Sequence, residues 1–524
     1  MCTGISCCTG RAASAWTKRS FASLFTVPFG GCCMAWSRKL RAFALFSAVV
    51  LTAAGYFVSS GLEPVWWLVW VAPLPLLLVA PVVRGWEALG AAWIARSAAM
   101  LVFWQYWRGI MLPLWLSVAM VALAGACFAL AVMAYRSFAV KGYAWLAALA
   151  FPVVSVAEEY LLSLWQGTFG NTGYTQLKNL PVLQLAAISG LWGIGFAVTL
   201  FGAVVAAVVH AAPRQRARLG IAFAAFYVCV FSFGELRLHK TPDALHSVVV
   251  GLVESHAGAD MFPRDARSMM DLLQRYAGQA QVLADRGAQI VVLPEMTGLV
   301  VDPGMTNGLL KDQLLSPAAD GVFEEAARRA HVQILLGVEH ATERGSFNEG
   351  RLYSAAGTIE TVYRKHHLVP VLEGRTSPGD GISVLSQPAG EIGIEICRDM
   401  DYPELARRYG HRQVGLILAP AWDQGVDALW HGHMSLMRAV EDGFTLVRDA
   451  KVGFLTASDD RGRILAEESA VGGNALHTML VSVPVRHDAT VYQAWGDWFA
   501  WVDLAGVMVL GWVGLREWGI GNRE

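Results

Sequence analysis

The feature that most restricts this chain is a series of apolar runs, each close to the ~20 residues a helix needs to cross a bilayer. They fall near residues 42–60, 65–83, 88–106, 112–135, 143–164, 183–209 and 219–235, and one more lies near 497–514. A chain with so many candidate spans reads as a membrane protein. Composition agrees: 55% of the residues are hydrophobic and only 16% are charged, with the apolar excess in the first half and at the extreme C-terminal end. The formal net charge of −1 gives no electrostatic basis for binding nucleic acid.

Charge placement orients the spans. Arg38, Lys39 and Arg41, then Arg84, then Arg136 and Lys141, then Arg214, Arg216 and Arg218 occupy alternate connections. The bias of Lys and Arg toward cytoplasmic loops puts all of them on the inner side. An odd number of crossings then delivers the chain beyond Leu236 to the opposite face, and the run near 497–514 brings it back, with Arg516 and Arg523 inside. The organisation expected is a transmembrane domain over 34–236, a soluble domain over 245–490 and a C-terminal span over 497–514. Residues 1–33 hold no convincing span. The basic run Met34-Ala-Trp-Ser-Arg-Lys-Leu-Arg41 before the first apolar run reads as a natural start, so the preceding segment is read as an extension or a misassigned start. Glu158 and Glu159 fall in or at the end of the fifth span, where carboxylates either face a polar cavity or sit at the interface. The Gly- and Thr-rich stretch Gln166-Gly-Thr-Phe-Gly-Asn-Thr-Gly-Tyr174 is expected to be a non-helical connection.

From about 245 to 490 strand and helix patterns alternate. Strands are expected over 246–253, 288–294, 332–338, 415–420, 444–448, 453–457 and 478–483, and helices over 264–286, 321–331 and 429–442. This order argues for a layered α/β domain. In Glu391-Ile-Gly-Ile-Glu-Ile-Cys-Arg-Asp-Met400 three Ile alternate with Gly393 and Glu395, a strand that stops at Cys397. Of the 8 cysteines, five crowd the N-terminus and two lie in apolar runs, so Cys397 is the one in the polar half and no disulfide or zinc framework is laid out. A thiol at a strand end is either a small buried hydrophobe or a nucleophile waiting for a base.

Glu295, Lys365 and Cys397 each end or closely follow a strand, where open α/β sheets build their sites. Glu295 is suited to accept the thiol proton, and Lys365 to stabilise thiolate and oxyanion. Glu373 is placed to hold Lys365 or share the proton traffic. Taken singly they read as a strand cap, a solvated charge and a loop anion. His366 with His367, and His431 with His433, lack zinc-ligand spacing and acidic company, and the second pair reads as polar residues near the site or in solvent. No metal is implied, and with no phosphate-cradling loop before a helix no cofactor is called for.

Leu293-Pro-Glu295, Tyr363-Arg-Lys-His-His-Leu-Val-Pro370 with Glu373, and Glu395-Ile-Cys397 resemble, in order and spacing, the Glu-Lys-Cys signature of the nitrilase, or carbon–nitrogen hydrolase, superfamily. Within it the chain resembles the apolipoprotein N-acyltransferase branch, from about residue 34 onward. Gln184-Leu-Ala-Ala-Ile-Ser-Gly-Leu-Trp-Gly-Ile194, Met437-Arg-Ala-Val-Glu441 and Tyr492-Gln-Ala-Trp-Gly-Asp-Trp-Phe499 add to the likeness. The resemblance implies an αββα sandwich beside the membrane helices, in a bacterial cytoplasmic (inner) membrane with the catalytic domain outside. It implies two-step transfer: a phospholipid acyl chain to Cys397 as a thioester, then to the N-terminal amine of a lipoprotein. The chain departs from the family at Arg398 and Asp399 after the nucleophile, at Ala419-Pro-Ala-Trp-Asp423, which keeps only Trp422, at Arg448-Asp-Ala-Lys-Val-Gly453 and around Gly251-Leu-Val-Glu-Ser-His256. Because such positions line the substrate region in the family, Arg398, Asp399 and Trp422 are carried as candidate substrate contacts. The departures leave two alternatives open: a membrane-tethered amidase or acyltransferase with another amine acceptor, and an inactive scaffold.

Overall fold

The computed structural model describes residues 37–240, 246–255, 265–305, 312–370, 372–469, 471 and 476–521. The expectations for residues 1–33, His256 and Arg523 lie outside these.

Helix α1 (Arg38–Ser59) starts on a Ser37 cap whose hydroxyl accepts from the Leu40 amide at 3.2 Å. It is followed by α2 (Leu74–Val79), α3 (Gly85–Ala99), α4 (Trp104–Gly109), α5 (Leu114–Ala139), α6 (Ala144–Gln166), α7 (Leu180–Leu183), α8 (Ala186–His210) and α9 (Pro213–His239). Among the described residues, helices α1, α5, α6, α8 and α9, with a C-terminal one, make six that are long and apolar enough to cross a membrane. Two of the expected spans differ. The run 65–83 is not one helix but short turns, Leu68–Trp70, α2 and Ala80–Val82. Pro64, Pro73, Pro75 and Pro81 each remove an amide donor, so no continuous ladder forms there. The freed backbone is met instead by Gln176, whose amide donates to the Trp66 carbonyl at 2.8 Å and accepts from the Trp70 indole at 3.0 Å. The run 88–106 is divided between α3 and α4 by a tighter turn over Met100–Phe103.

The second half folds in the order β1 (Ser247–Ser255), α10 (Ala266–Asp285), β2 (Ile290–Val292), β3 (Gly298–Val301), β4 (Leu314–Leu315), α11 (Ser316–Ala330), β5 (Gln333–Thr342), β6 (Gly345–Tyr353), β7 (Ile359–Arg364), β8 (Ser383–Gln387) and β9 (Gly390–Ile394). Then come α12 (Pro403–His411), β10 (Leu416–Trp422), α13 (Ala428–Asp442), β11 (Thr445–Lys451), β12 (Phe454–Ser458), β13 (Ile464–Ser469) and β14 (Leu476–Pro484). The chain closes with α14 (Val491–Trp495) and the apolar α15 (Trp498–Gly521). One sheet runs β14-β1-β2-β5-β3-β4 with β6 and β7 added beyond β5; the other runs β13-β12-β11-β10-β9-β8. Their inner faces share one core, Val250, Leu252, Ile290 and Val292 from the first against Ile392, Ile394, Leu416 and Leu418 from the second. Helices α10 and α11 pack on the outer face of the first sheet, and α12 and α13 on that of the second. This is the αββα sandwich.

The helical half is bonded to the second sheet's helices. The Glu441 carboxylate of α13 accepts from the Leu191 amide at 2.8 Å, and Gln184 donates to the Arg461 carbonyl at 3.0 Å. The Thr168 hydroxyl donates to the Asp401 carbonyl at 2.7 Å. At the start of α8, Gly190 has φ +64°, and a Cβ there would lie 2.4 Å from the Tyr492 ring. Only glycine allows both the backbone turn and that approach.

Candidate active site

Strand β2 ends one turn before Glu295, whose amide donates across the sandwich to the Ala421 carbonyl at 3.2 Å. That bond joins the carboxyl ends of β2 and β10. Glu295 and Lys365 are both essentially sealed from solvent, at 2% and 1% exposure. The Lys365 ammonium donates to Glu295 Oε1 at 2.7 Å and to Glu373 Oε2 at 2.8 Å. Asn348 of β6 donates to Glu295 at 2.6 Å and to Glu373 at 2.8 Å, so one amide and one ammonium bridge the same two carboxylates. The Val369 amide fixes Glu373 further at 2.7 Å. Asn348 carries no motif in the sequence. It is buried along β6 together with the polar Glu349 and Arg351.

Cys397 follows β9 with φ +50° and opens a tight turn, Cys397–Asp401. A non-glycine residue in this left-handed region is held there by its surroundings, and the clamp here is Asp399. Its fully buried carboxylate accepts from the Tyr363 hydroxyl at 2.7 Å and from the His366 and His367 amides at 3.1 and 2.8 Å. Residues on both sides of Lys365 are thereby tied to the turn that carries Cys397. Asp399 is thus occupied as an anchor. Arg398 is likewise bound by backbone: its guanidinium donates to the Leu368 carbonyl and, at 3.3 Å, to the Gln166 carbonyl of the helical half. Trp422 is at the site itself, its carbonyl 3.7 Å from Cys397 Sγ and its ring under the Lys451 ammonium at 4.9 Å.

The electrostatics are those of a resting thiol. Burial pushes the Cys397 pKa well up and the Glu295 charge pushes it further, against Lys365 and Arg448, which favour thiolate. Two carboxylates flank one ammonium, so an ionised sulfur would add negative charge to a site that already carries it. Burial also raises the pKa of Glu295, which Lys365 opposes. Burial alone would lower that of Lys365, but Glu295, Cys397 and Glu373 more than reverse this and keep it charged. Glu295 is a carboxylate within electrostatic reach of the thiol, and so a candidate to take its proton as general base.

A second cation, Arg448, is also within electrostatic reach of the sulfur. Arg448 of β11 grips Asp423 with two bonds of 2.8 and 2.6 Å. His431 lies 2.9 Å from Asp427 and 3.7 Å from Asp423. Its ring faces Phe169 and Tyr106 of the helical half, with centroids 5.3 and 6.2 Å away, and those two rings stack on each other at 5.1 Å. Tyr106 is within electrostatic reach of Cys397. Tyr106 of the short helix α4 and Phe169 of the connection after α6 thus bring the helical half up to the site. His433, by contrast, is turned away and buried against Glu467 at 2.6 Å, not solvated. Tyr106 and Phe169 carry no sequence signal as site residues, lying 291 and 228 positions from the nucleophile; Arg448, 51 positions away, stands out only as part of a departure from the family pattern, and His431, 34 away, only as a polar residue near the site or in solvent.

A cavity of about 150 Å³ lies inside the bundle, lined among others by Tyr56, Arg96, Cys127, Glu158 and Glu159. The carboxylates of the fifth expected span thus face a polar cavity. A second cavity, about 470 Å³, is elsewhere, between β6, β7 and the segment at Asp380, and none of Glu295, Lys365, Glu373 and Cys397 lines it.

Residues 47–204 match the family described as apolipoprotein N-acyltransferase N-terminal domain, and 256–497 match carbon–nitrogen hydrolase. An apolipoprotein N-acyltransferase of Geobacter metallireducens is 27% identical, over 90% of this chain and 95% of its own length. One from Gloeobacter violaceus is 26% identical, over 88% and 93%. Among solved structures, an amidase from Nesterenkonia sp. AN1 is 22% identical with a TM-score of 0.38, covering 47% of this chain and 95% of the amidase. With both family matches in order and relatives aligned nearly end to end, the chain belongs to the apolipoprotein N-acyltransferase family, a membrane branch of the carbon–nitrogen hydrolases.

Proposed function

We propose that this protein transfers an acyl chain from a phospholipid to the N-terminal amine of a lipoprotein through a thioester on Cys397. The observation that carries the reading is a Cys–Glu–Lys set with Tyr106 and Phe169 of the helical half standing beside it. Substrates anchored in a bilayer reach such a site laterally, and a soluble amide would need no helical half beside it.

In the first step Glu295 takes the thiol proton as sulfur attacks the ester carbonyl. Lys365 stabilises the oxyanion, and the acyl–oxygen bond breaks to release a lysophospholipid. In the second step the amine attacks the thioester, and sulfur leaves as the thiol is restored. Glu373 and Asn348 hold the base and ammonium in register. The basic connections at Arg84, Arg136 and Lys141, and Arg214 to Arg218 support an inner-side location for that end of the bundle, with the α/β half outside the cytoplasm.

Intact mass of the purified protein incubated with phospholipid tests this, with Cys397→Ser beside it. A hydroxylamine-labile acyl adduct on wild type alone is the expected result. A diacylated lipopeptide should then discharge it as an amide. Discharge by water or a small amine, but not by lipopeptide, points to the amidase alternative, and no adduct with any phospholipid overturns the reading.

A further inference from the structure

The geometry points to His431 as the general acid that protonates the leaving glyceryl oxygen when a lipid donor acylates Cys397. This rests on the acyl-transfer reading above and adds a residue to it.

The need is chemical. When thiol sulfur adds to a lipid ester, the tetrahedral intermediate holds a thiolate leaving group beside a far more basic alkoxide. Unprotonated, it collapses back by expelling sulfur. An acid is required on the side where the glyceryl group lies. Glu295 holds the thiol proton on the inner wall, where its Oε1 already accepts from both Lys365 and Asn348. A donor held in the bilayer has its glyceryl portion toward the helical half, and His431 stands on that side, against Tyr106 of α4 and Phe169.

The ring is set up for the role. Nδ1 is held by Asp427 at 2.9 Å, one helical turn back, with Asp423 at 3.7 Å. No partner for Nε2 is found among the described residues, so that nitrogen is free to meet a ligand. Asp423 directly follows Trp422, whose carbonyl is 3.7 Å from Cys397 Sγ. The groups facing His431 are Asp427 at the start of its own helix, Asp423 with its clamp Arg448 from the strand ends, Asp401 from the Cys397 turn, and Tyr106 from α4. Burial alone would lower the imidazole pKa, but Asp427, with Asp401 and Asp423, pushes it up to about 9, so the ring carries its acid proton at neutral pH.

The protons balance over the cycle. In acylation the thiol proton goes to Glu295 and the S–C bond forms. The C–O bond breaks, and the Nε2 proton of His431 goes to the glyceryl oxygen. In transfer, neutral His431 takes a proton from the attacking amine, the C–N bond forms and the C–S bond breaks. Glu295 then returns its proton to sulfur. Both groups end as they began.

The test is single-turnover thioester formation on the full-length protein, read by intact mass, with two donors of the same acyl chain. One is a phospholipid; the other is a p-nitrophenyl ester, whose leaving group departs without a proton. His431→Gln should slow the phospholipid reaction about 100-fold, within the usual range for a general acid, and the nitrophenyl reaction by less than about threefold. The wild-type phospholipid rate should fall as pH rises through about 9, a limb absent from the nitrophenyl reaction. Asp427→Asn should move that limb to lower pH, a second reading if His431→Gln disturbs folding. Equal slowing with both donors, or an unmoved limb in Asp427→Asn, overturns the assignment. Wild type that forms no thioester with either donor overturns the acyl-transfer reading itself, and this assignment falls with it.

Discussion

The candidate site in the sandwich and the cavity in the bundle treat buried charge in opposite ways. In the sandwich, Lys365, Glu295, Glu373, Asp399, Asp423 and Arg448 each have at least one ionic or charge-assisted partner at hydrogen-bond distance. In the bundle, Arg96 rests on the Tyr56 ring at 4.8 Å, with a buried guanidinium nitrogen that has no hydrogen-bond partner, and a buried Glu158 oxygen is also unpaired. Fully partnered charges in a low-dielectric site fix one geometry, because any displacement leaves a charge uncompensated. Unpartnered ones line space instead, here the cavity between α1, α3, α5 and α6. The comparison separates charge used to hold atoms in place from charge held open to a cavity.

The sharpest break between them should come from Lys365→Met. It strips the cation from two buried carboxylates, so we expect a loss of about 3–5 kcal/mol in stability and of measurable thioester formation. Denaturant unfolding and intact mass read the two effects. A stable, acylating variant would contradict the partnered-charge account. Next is Asn348→Leu, which removes the amide shared by Glu295 and Glu373 and should cost about 1–3 kcal/mol, lowering kcat far more than it raises KM. A change confined to KM would make Asn348 a substrate contact instead.

A smaller, pH-dependent effect belongs to His367, paired with Asp399 at 3.1 Å and Glu404 at 3.4 Å. Burial alone would lower its pKa, but Asp399 and Glu404 raise it to about 9. Because the folded value lies above the unfolded one, the stabilisation is full below about pH 6.5 and is lost as pH rises through about 9. His367→Gln should therefore flatten the melting curve's pH dependence across that window, by about 1–3 kcal/mol. An unchanged profile would place the titration elsewhere. The least effect is expected from Arg96→Met in the bundle. With no ionic bond to break, stability should change by less than about 1 kcal/mol, in contrast with Lys365. A loss as large as that of Lys365→Met would erase the distinction between the site and the cavity.

Much of this was legible from local pattern. Hydropathy located the membrane segments, and alternation in Ile392, Ile394 and Ile396 put Cys397 at a strand end with the right neighbours in order. Hydropathy failed over 65–83 because it counts apolar area and ignores the missing amides of four prolines, which decide whether a helix can run through. Asp399 shows a different limit. Its position beside the nucleophile was readable, but its occupation by Tyr363, His366 and His367 is a property of a folded turn.

The resemblance to the carbon–nitrogen hydrolase signature singled out Glu295, Lys365 and Cys397 as a set; the sequence by itself determined that this chain enters a membrane and alternates strand and helix beyond it. Those properties depend on composition and on spacings of a few residues. Only the tertiary structure decided that Asn348 bridges the carboxylates, that Arg448 and Asp423 stand within electrostatic reach of the sulfur, and that Tyr106, Phe169 and His431 come together at the site. These groups come from distant segments, and packing the carboxyl ends of two sheets against one end of a helical bundle is what brings them together.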